Sequence, residues 1–139
     1  MFANSYSTDS TRAMVACPYK NIGQRAEYLH ALELTGKACK ASNARGGADV
    51  LTYQVKTFRA TVCKGSDLDN FFTEYADAAR VAFVDEENAL WYDLSKEEFR
   101  AFIGLFAEPD NESHKNGSTP KFRLNRQYKA QRNWLRCKT

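Results

Sequence analysis

Between residues 47 and 56 the chain reads Gly-Ala-Asp-Val-Leu-Thr-Tyr-Gln-Val-Lys, and three of these side chains could do chemistry together. In an extended segment alternate side chains share a face, so Gln54 and Lys56 point one way and Tyr53, Val55 and Thr57 the other. A turn at Leu51 and Thr52 would fold Asp49 back beside them. A carboxylate, an amide oxygen and an ammonium would then converge on one spot able to hold a divalent cation and an activated water, the parts phosphodiester hydrolysis needs. A plainer reading uses the same residues: Asp49 sits in a loop, and Gln54 and Lys56 form the solvated face of an edge strand.

Asp49 followed by Gln54-Val55-Lys56 resembles the site signature of the PD-(D/E)XK nuclease superfamily, in its variant with Gln in place of the second acid. Upstream, Gln24-Arg25-Ala26-Glu27-Tyr28-Leu29 falls within an expected helix, where many members of that superfamily carry a further site glutamate; Glu27 is the matching position. The resemblance covers roughly residues 21–107 and implies a restriction-endonuclease-like core. It also implies that Asp49 and Gln54 ligate Mg2+ with the backbone carbonyl of Val55, and that Lys56 orients or polarises the attacking water. Glu27 would be a further ligand or a water-positioning group. The proline that usually precedes the aspartate is replaced by Gly46-Gly47-Ala48, and only four residues separate Asp49 from Gln54. So short a hairpin calls for positive φ angles at its tip, for which Leu51 and Thr52 are not natural residues. One carboxylate fewer also lowers the expected affinity for the metal.

Charge is unevenly distributed. From Ser113 to the end there are eight basic residues and no acidic one, whereas the preceding 112 residues hold twelve basic and seventeen acidic side chains. A basic end on an acidic body suits contact with phosphates. Lys121 and Arg123 lie on an expected extended arm, and Arg126, Lys129, Arg132 and Arg136 recur at helical spacing on one face, with Tyr128, Gln131 and Leu135 offset toward another. No acid at helical spacing neutralises that face. It is therefore read as a nucleic-acid contact, most simply with DNA backbone, the alternative being an ordinary helix with a positive outer face. Arg59 and Lys64, close to the presumed site, could hold the scissile phosphate through charge-assisted hydrogen bonds.

These groups need elements to position them, and composition bounds what those can be. At 139 residues, 43% hydrophobic and 13% aromatic, the chain can bury one core and make one domain. No apolar run approaches bilayer length and the polar start lacks a signal-peptide core, so a cytoplasmic setting away from membranes is expected, in a host cell if the protein comes from a phage or mobile element. Cys17, Cys39, Cys63 and Cys137 form no C-x-x-C pair, and neither His30 nor His114 stands at ligand spacing to them, which argues for reduced, structural cysteines rather than zinc.

Along the chain, residues 1–20 read as irregular. A helix is expected over 21–34, with Gly36 as its C-terminal cap, followed by strands near 48–51, 53–58 and 59–63. Ser66 would cap a helix over 68–79; a hairpin then joins 80–84 to 89–92 through a solvated tip of Asp85, Glu86 and Glu87. Ser95 and Glu98 form a capping box for a helix to about residue 107 whose Phe99, Phe102, Ile103 and Phe106 make a core stripe. Residues 108–120 read as a flexible loop, 121–124 as a strand or extended arm, and 125–135 as a short helix. The sum is an α+β fold, a central mixed sheet flanked by helices.

Two function classes follow. One is a Mg2+-dependent DNA-processing endonuclease whose substrate preference would come from nucleic-acid shape, a homodimeric arrangement or a fused partner. The other is a catalytically inactive nuclease fold that binds nucleic-acid machinery, as phage or mobile-element inhibitors of the anti-CRISPR type do. A scaffold whose basic end binds an acidic protein is a third possibility.

Overall fold

The computed structural model describes residues 3–38, 48–110 and 120–137. Its centre is the strand that the sequence makes most apolar: β4 (Arg80–Asp85) buries Val81, Ala82, Phe83 and Val84 completely, on both faces. β4 pairs in parallel with β2 (Tyr53–Thr57) and antiparallel with β5 (Leu90–Ser95), and the two-residue β1 (Asn4–Ser5) adds to the far side of β5. The sheet order is β1-β5-β4-β2, so β2 is an edge strand. A second, antiparallel sheet of order β3-β7-β6 is built from Thr61–Lys64, Lys121–Leu124 and Ala107–Pro109. The architecture is thus α+β, with helices flanking a mixed sheet and a smaller antiparallel one.

The two faces of β4 seed two apolar cores. Val81 and Phe83 pack with α4 (Lys96–Phe106), the short α3 (Asn70–Glu74) and α5 (Tyr128–Cys137), while Ala82 and Val84 pack with α2 (Ile22–Thr35). α4 forms as its pattern dictates. Ser95 accepts from the Glu98 N–H, Glu98 accepts from the Ser95 N–H, and Phe99, Phe102, Ile103 and Phe106 are buried. Trp134 of α5 stacks on Phe102 at 5.3 Å between ring centroids. α2 begins where the Asn21 side chain accepts from the Gly23 and Gln24 N–H groups, and ends at Gly36, whose φ of 73° closes the last turn.

Several expected elements differ. The expected irregular start, residues 1–20, carries structure over residues 4–16: Ser7 caps α1 (Thr8–Ala13), a 3-10 turn follows (Met14–Ala16), and Tyr6 is buried against His30 and Trp91. A short polar helix leaves little hydrophobic pattern to read, yet Ser7 and Ser10 both bond Glu33 of α2. The strand near 48–51 shrinks to one bridge, between Val50 and Tyr53. The third strand begins two residues late and joins the other sheet, because Arg59, at φ 62°, turns the chain out of β2. α3 is short and lacks a side-chain cap.

The hairpin between β4 and β5 has the expected strands, but its acidic tip is not simply solvated. Asp85 is 1% exposed and pairs with Arg132, 3.0 Å away, and Glu86 pairs with Arg25 at 2.6 Å; Glu87 stays largely in solvent and touches Arg132 at 3.3 Å. The tip therefore ties α2 and α5 to the sheet. Of the expected 108–120 loop, Glu108 and Pro109 belong to β6, and residues 111–119 lie outside the described residues, as do Gly46 and Gly47. Cys17, Cys63 and Cys137 are free thiols. Among the described residues no helix is long and apolar enough to cross a membrane.

Candidate functional site

Asp49 does fold back beside β2. The Tyr53 N–H donates to the Val50 carbonyl at 2.9 Å, and the Val50 and Asp49 N–H groups both donate to the Tyr53 carbonyl, which makes a two-residue turn at Leu51 and Thr52. Leu51 takes the positive φ the turn demands, 52°, at a cost of roughly 1 kcal/mol for a side-chain-bearing residue. The turn directs the Asp49 carboxylate onto the edge of the sheet, where its Oδ2 accepts from the Val55 N–H at 2.9 Å. Burial pushes this carboxyl above its usual range, against the opposing pull of the Val55 N–H and the Lys56 charge.

Gln54 and Lys56 share a face of β2, opposite Val81 and Phe83 in register. They are 6% and 8% exposed, so the face they form is not a solvated edge. The Gln54 Oε1 atom is buried with no hydrogen-bond partner. An unmatched buried amide oxygen costs about 1–3 kcal/mol unless something outside the chain satisfies it. Lys56 is held differently, donating to the Thr61 carbonyl at 2.7 Å and to the Tyr75 hydroxyl at 2.8 Å, with its Nζ 4.4 Å from the centre of the Tyr75 ring. Burial lowers its pKa to about 8, and Asp49, Glu74, Cys63 and Glu27 oppose the fall.

Both side chains open on a cleft of about 310 Å³, whose other walls include Glu27, Arg59, Thr61 and the start of α2 at Asn21. α2 packs on the Val55 face of the sheet, and Glu27 joins Gln54 and Lys56 in lining the cleft at the free edge of β2. Five of the residues singled out in the sequence are thus gathered: Glu27, Gln54, Val55, Lys56 and Arg59 line one cleft. Asp49 stands behind it on the Val55 N–H rather than in its wall. Thr61 and Tyr75 were not singled out. Tyr75 is nineteen residues from Lys56 and resembles any aromatic on the core face of a helix, so only tertiary contact reveals its hydroxyl.

Among the described residues no three His, Cys, Asp or Glu side chains stand together as a metal-binding group. The candidate oxygens are the unmatched Gln54 Oε1 and the Glu27 carboxylate of the cleft wall, with the Asp49 carboxylate outside that wall on the Val55 N–H. All are hard donors, and a sparse oxygen set of this kind fits Mg2+, which keeps several waters and takes one or two carboxylates plus a substrate phosphate.

The basic end differs from residue to residue in burial and pairing. Arg132 is committed to Asp85 and Glu87, and its guanidinium lies 4.7 Å over the Phe58 ring. Arg123 lies 3.7 Å from Glu108, and Lys121 is half-buried in β7. These are not freely displayed. Lys129 and Arg136 are exposed on α5, Arg126 is exposed two residues before it, and Arg59 is exposed on the turn after β2. α5 adjoins the cleft through that turn, since Tyr128 packs edge-on against Phe58, the neighbour of Arg59. The expectation of one uniform basic face on α5 is therefore corrected at Arg132, whose charge is neutralised by acids from another element that helical spacing cannot reveal. No family model, curated protein or solved structure matches this chain.

Proposed function

We propose that the protein is a divalent-metal-dependent DNA-processing nuclease of the PD-(D/E)XK kind, its mixed sheet serving as a restriction-endonuclease-like core. The observation that carries this reading is the burial of Gln54 and Lys56 side by side in a cleft shared with Glu27, with Gln54 Oε1 left without a partner. Gln54, Asp49 and the Val55 carbonyl would hold Mg2+ with help from Glu27. When bound, the ion supplies Lewis-acid stabilisation of charge on the transferring phosphoryl group and eases deprotonation of water. Lys56 contributes a fixed positive charge beside the reacting phosphate, worth more in this dry setting than in water. Arg59 holds a phosphate at the cleft mouth, and Arg126, Lys129 and Arg136 grip the backbone further along, without reading base sequence.

The test is divalent-metal-dependent cleavage of plasmid, single-stranded and branched DNA by wild type and Lys56→Ala. Cutting by wild type that the substitution slows by about 100-fold or more supports catalysis; pure wild type that binds DNA yet cuts none of these substrates sinks it. One observation favours the noncatalytic alternative, a nuclease fold kept for binding nucleic-acid machinery. Asp49 is satisfied by the Val55 N–H and Lys56 by Thr61 and Tyr75, so these two groups hold together without a ligand.

A further inference from the structure

Lys56 is a buried ammonium, and buried charges persist only where hydrogen bonds replace water. It has three N–H donors. Two are used, on the Thr61 carbonyl and the Tyr75 hydroxyl, which leaves one for the cleft that Lys56 lines. The first acceptor is main chain, fixed by the pairing of Thr61 with Arg123. The second is a side chain from a distant element, the residue that ends α3.

Tyr75 is built to accept. An ammonium can only donate, so the Tyr75 oxygen accepts from Lys56 and its own proton turns away from Nζ. The ring does separate work: it packs against Phe71 at 5.4 Å and lies beneath the Lys56 ammonium. Hydroxyl and ring can therefore be parted by one substitution.

We propose that Tyr75 is a positioning residue for Lys56: its hydroxyl holds the ammonium so that the third N–H faces a phosphate oxygen or water in the cleft. This rests on the nuclease reading. Tyr75→Phe keeps the ring, its packing and the cation–π contact, and removes the acceptor alone. A mis-aimed catalytic group slows chemistry without weakening substrate binding, so kcat should fall about 10- to 100-fold while KM and DNA affinity stay near wild type. In a Lys56→Ala background the same substitution should change kcat no further, since a residue that acts through Lys56 has nothing left to act on.

The outcomes separate cleanly. A kcat-only loss that vanishes in the Lys56→Ala background supports the assignment. If wild type cuts and Tyr75→Phe cuts equally fast, or if the two losses multiply, the role is overturned and the nuclease reading stands. If wild type cuts no substrate at any divalent-metal concentration, the nuclease reading falls and takes this role with it.

Discussion

In the proposed nuclease, Gln54 is the residue on which the chemistry turns, because it brings an oxygen where a second acid would bring a charge. The lost charge weakens attraction for a divalent cation, most of all with the Lys56 ammonium on the same face of the strand. Gln54→Glu should therefore lower the Mg2+ concentration that half-saturates cleavage, by about tenfold if the added charge is worth ~1.4 kcal/mol. A metal titration of the cleavage rate reads this directly, and an unchanged midpoint would remove Gln54 from the metal site.

The open and bound arginines make opposite forecasts. Arg126→Ala and Lys129→Ala should each reduce the slope of log affinity for DNA against log salt by about 1, with little change in stability. A slope that neither variant changes would take α5 out of the interface. Arg132→Ala should instead destabilise the fold by about 3 kcal/mol, because it strands the buried Asp85 carboxylate. Chemical denaturation would show it. A loss of only a few tenths would mean that Asp85 finds another partner.

At the scale of elements, α5 is best described as a clamped helix. Its Leu135 and Gln131 are buried, Trp134 stacks on Phe102, and Arg132 bridges to the β4–β5 tip. α2 is held just as firmly, by its Asn21 cap, by Arg25 on Glu86, and by Glu33 beneath Ser7 and Ser10. Since α2 brings Glu27 to the cleft, its cap bears on the site, and Asn21→Ala should cost about 1 kcal/mol of stability.

What could be read from the sequence follows from how local the physics is. α4 was legible because its capping box and aromatic stripe are set by residues three and four apart; the hairpin was legible because β-prone runs flank a turn. The pairing of Gln54 with Lys56 on one face followed from the strand period alone, whereas the Asp49 turn ran against its own residues, since Leu51 does not announce a positive φ. The structured start was not legible, since α1 is polar and is held by Glu33, twenty-six residues beyond Ser7. Nor were the Asp85–Arg132 pair or the Tyr75–Lys56 contact, which join residues forty-seven and nineteen positions apart. The second sheet escaped because β3 leaves the first through the positive φ of Arg59, a conformation that arginine does not announce.

At the scale of the whole molecule, one buried group sets the acid limit. His30 is fully buried, with Nδ1 2.9 Å from the Tyr6 hydroxyl, Nε2 unmatched, and Tyr53 and Trp91 packed edge-on around it. Burial lowers its pKa to about 4, against the opposing pull of Asp93 and Glu33. The unfolded chain thus binds the proton first, so this stability is present above about pH 6.5 and is lost as pH falls through about 4. The loss amounts to about 3 kcal/mol from this group. Glu33, whose pKa the Ser10 and Ser7 hydrogen bonds lower, acts in the same sense below its ordinary range. Melting temperature measured from pH 7 to pH 4 should fall, and His30→Gln should flatten the decline; equal slopes in both proteins would contradict the assignment.

In the proposed nuclease the cleft between β2 and α2 is a divalent-metal site for phosphodiester chemistry. Crystals grown with Mn2+ and a short DNA duplex would locate the metal by its anomalous signal. The account predicts a peak within coordination distance of Gln54 Oε1 and of a Glu27 or Asp49 carboxylate oxygen, with a DNA phosphate beside Lys56. Duplex bound along α5 above a cleft that holds no metal would contradict it.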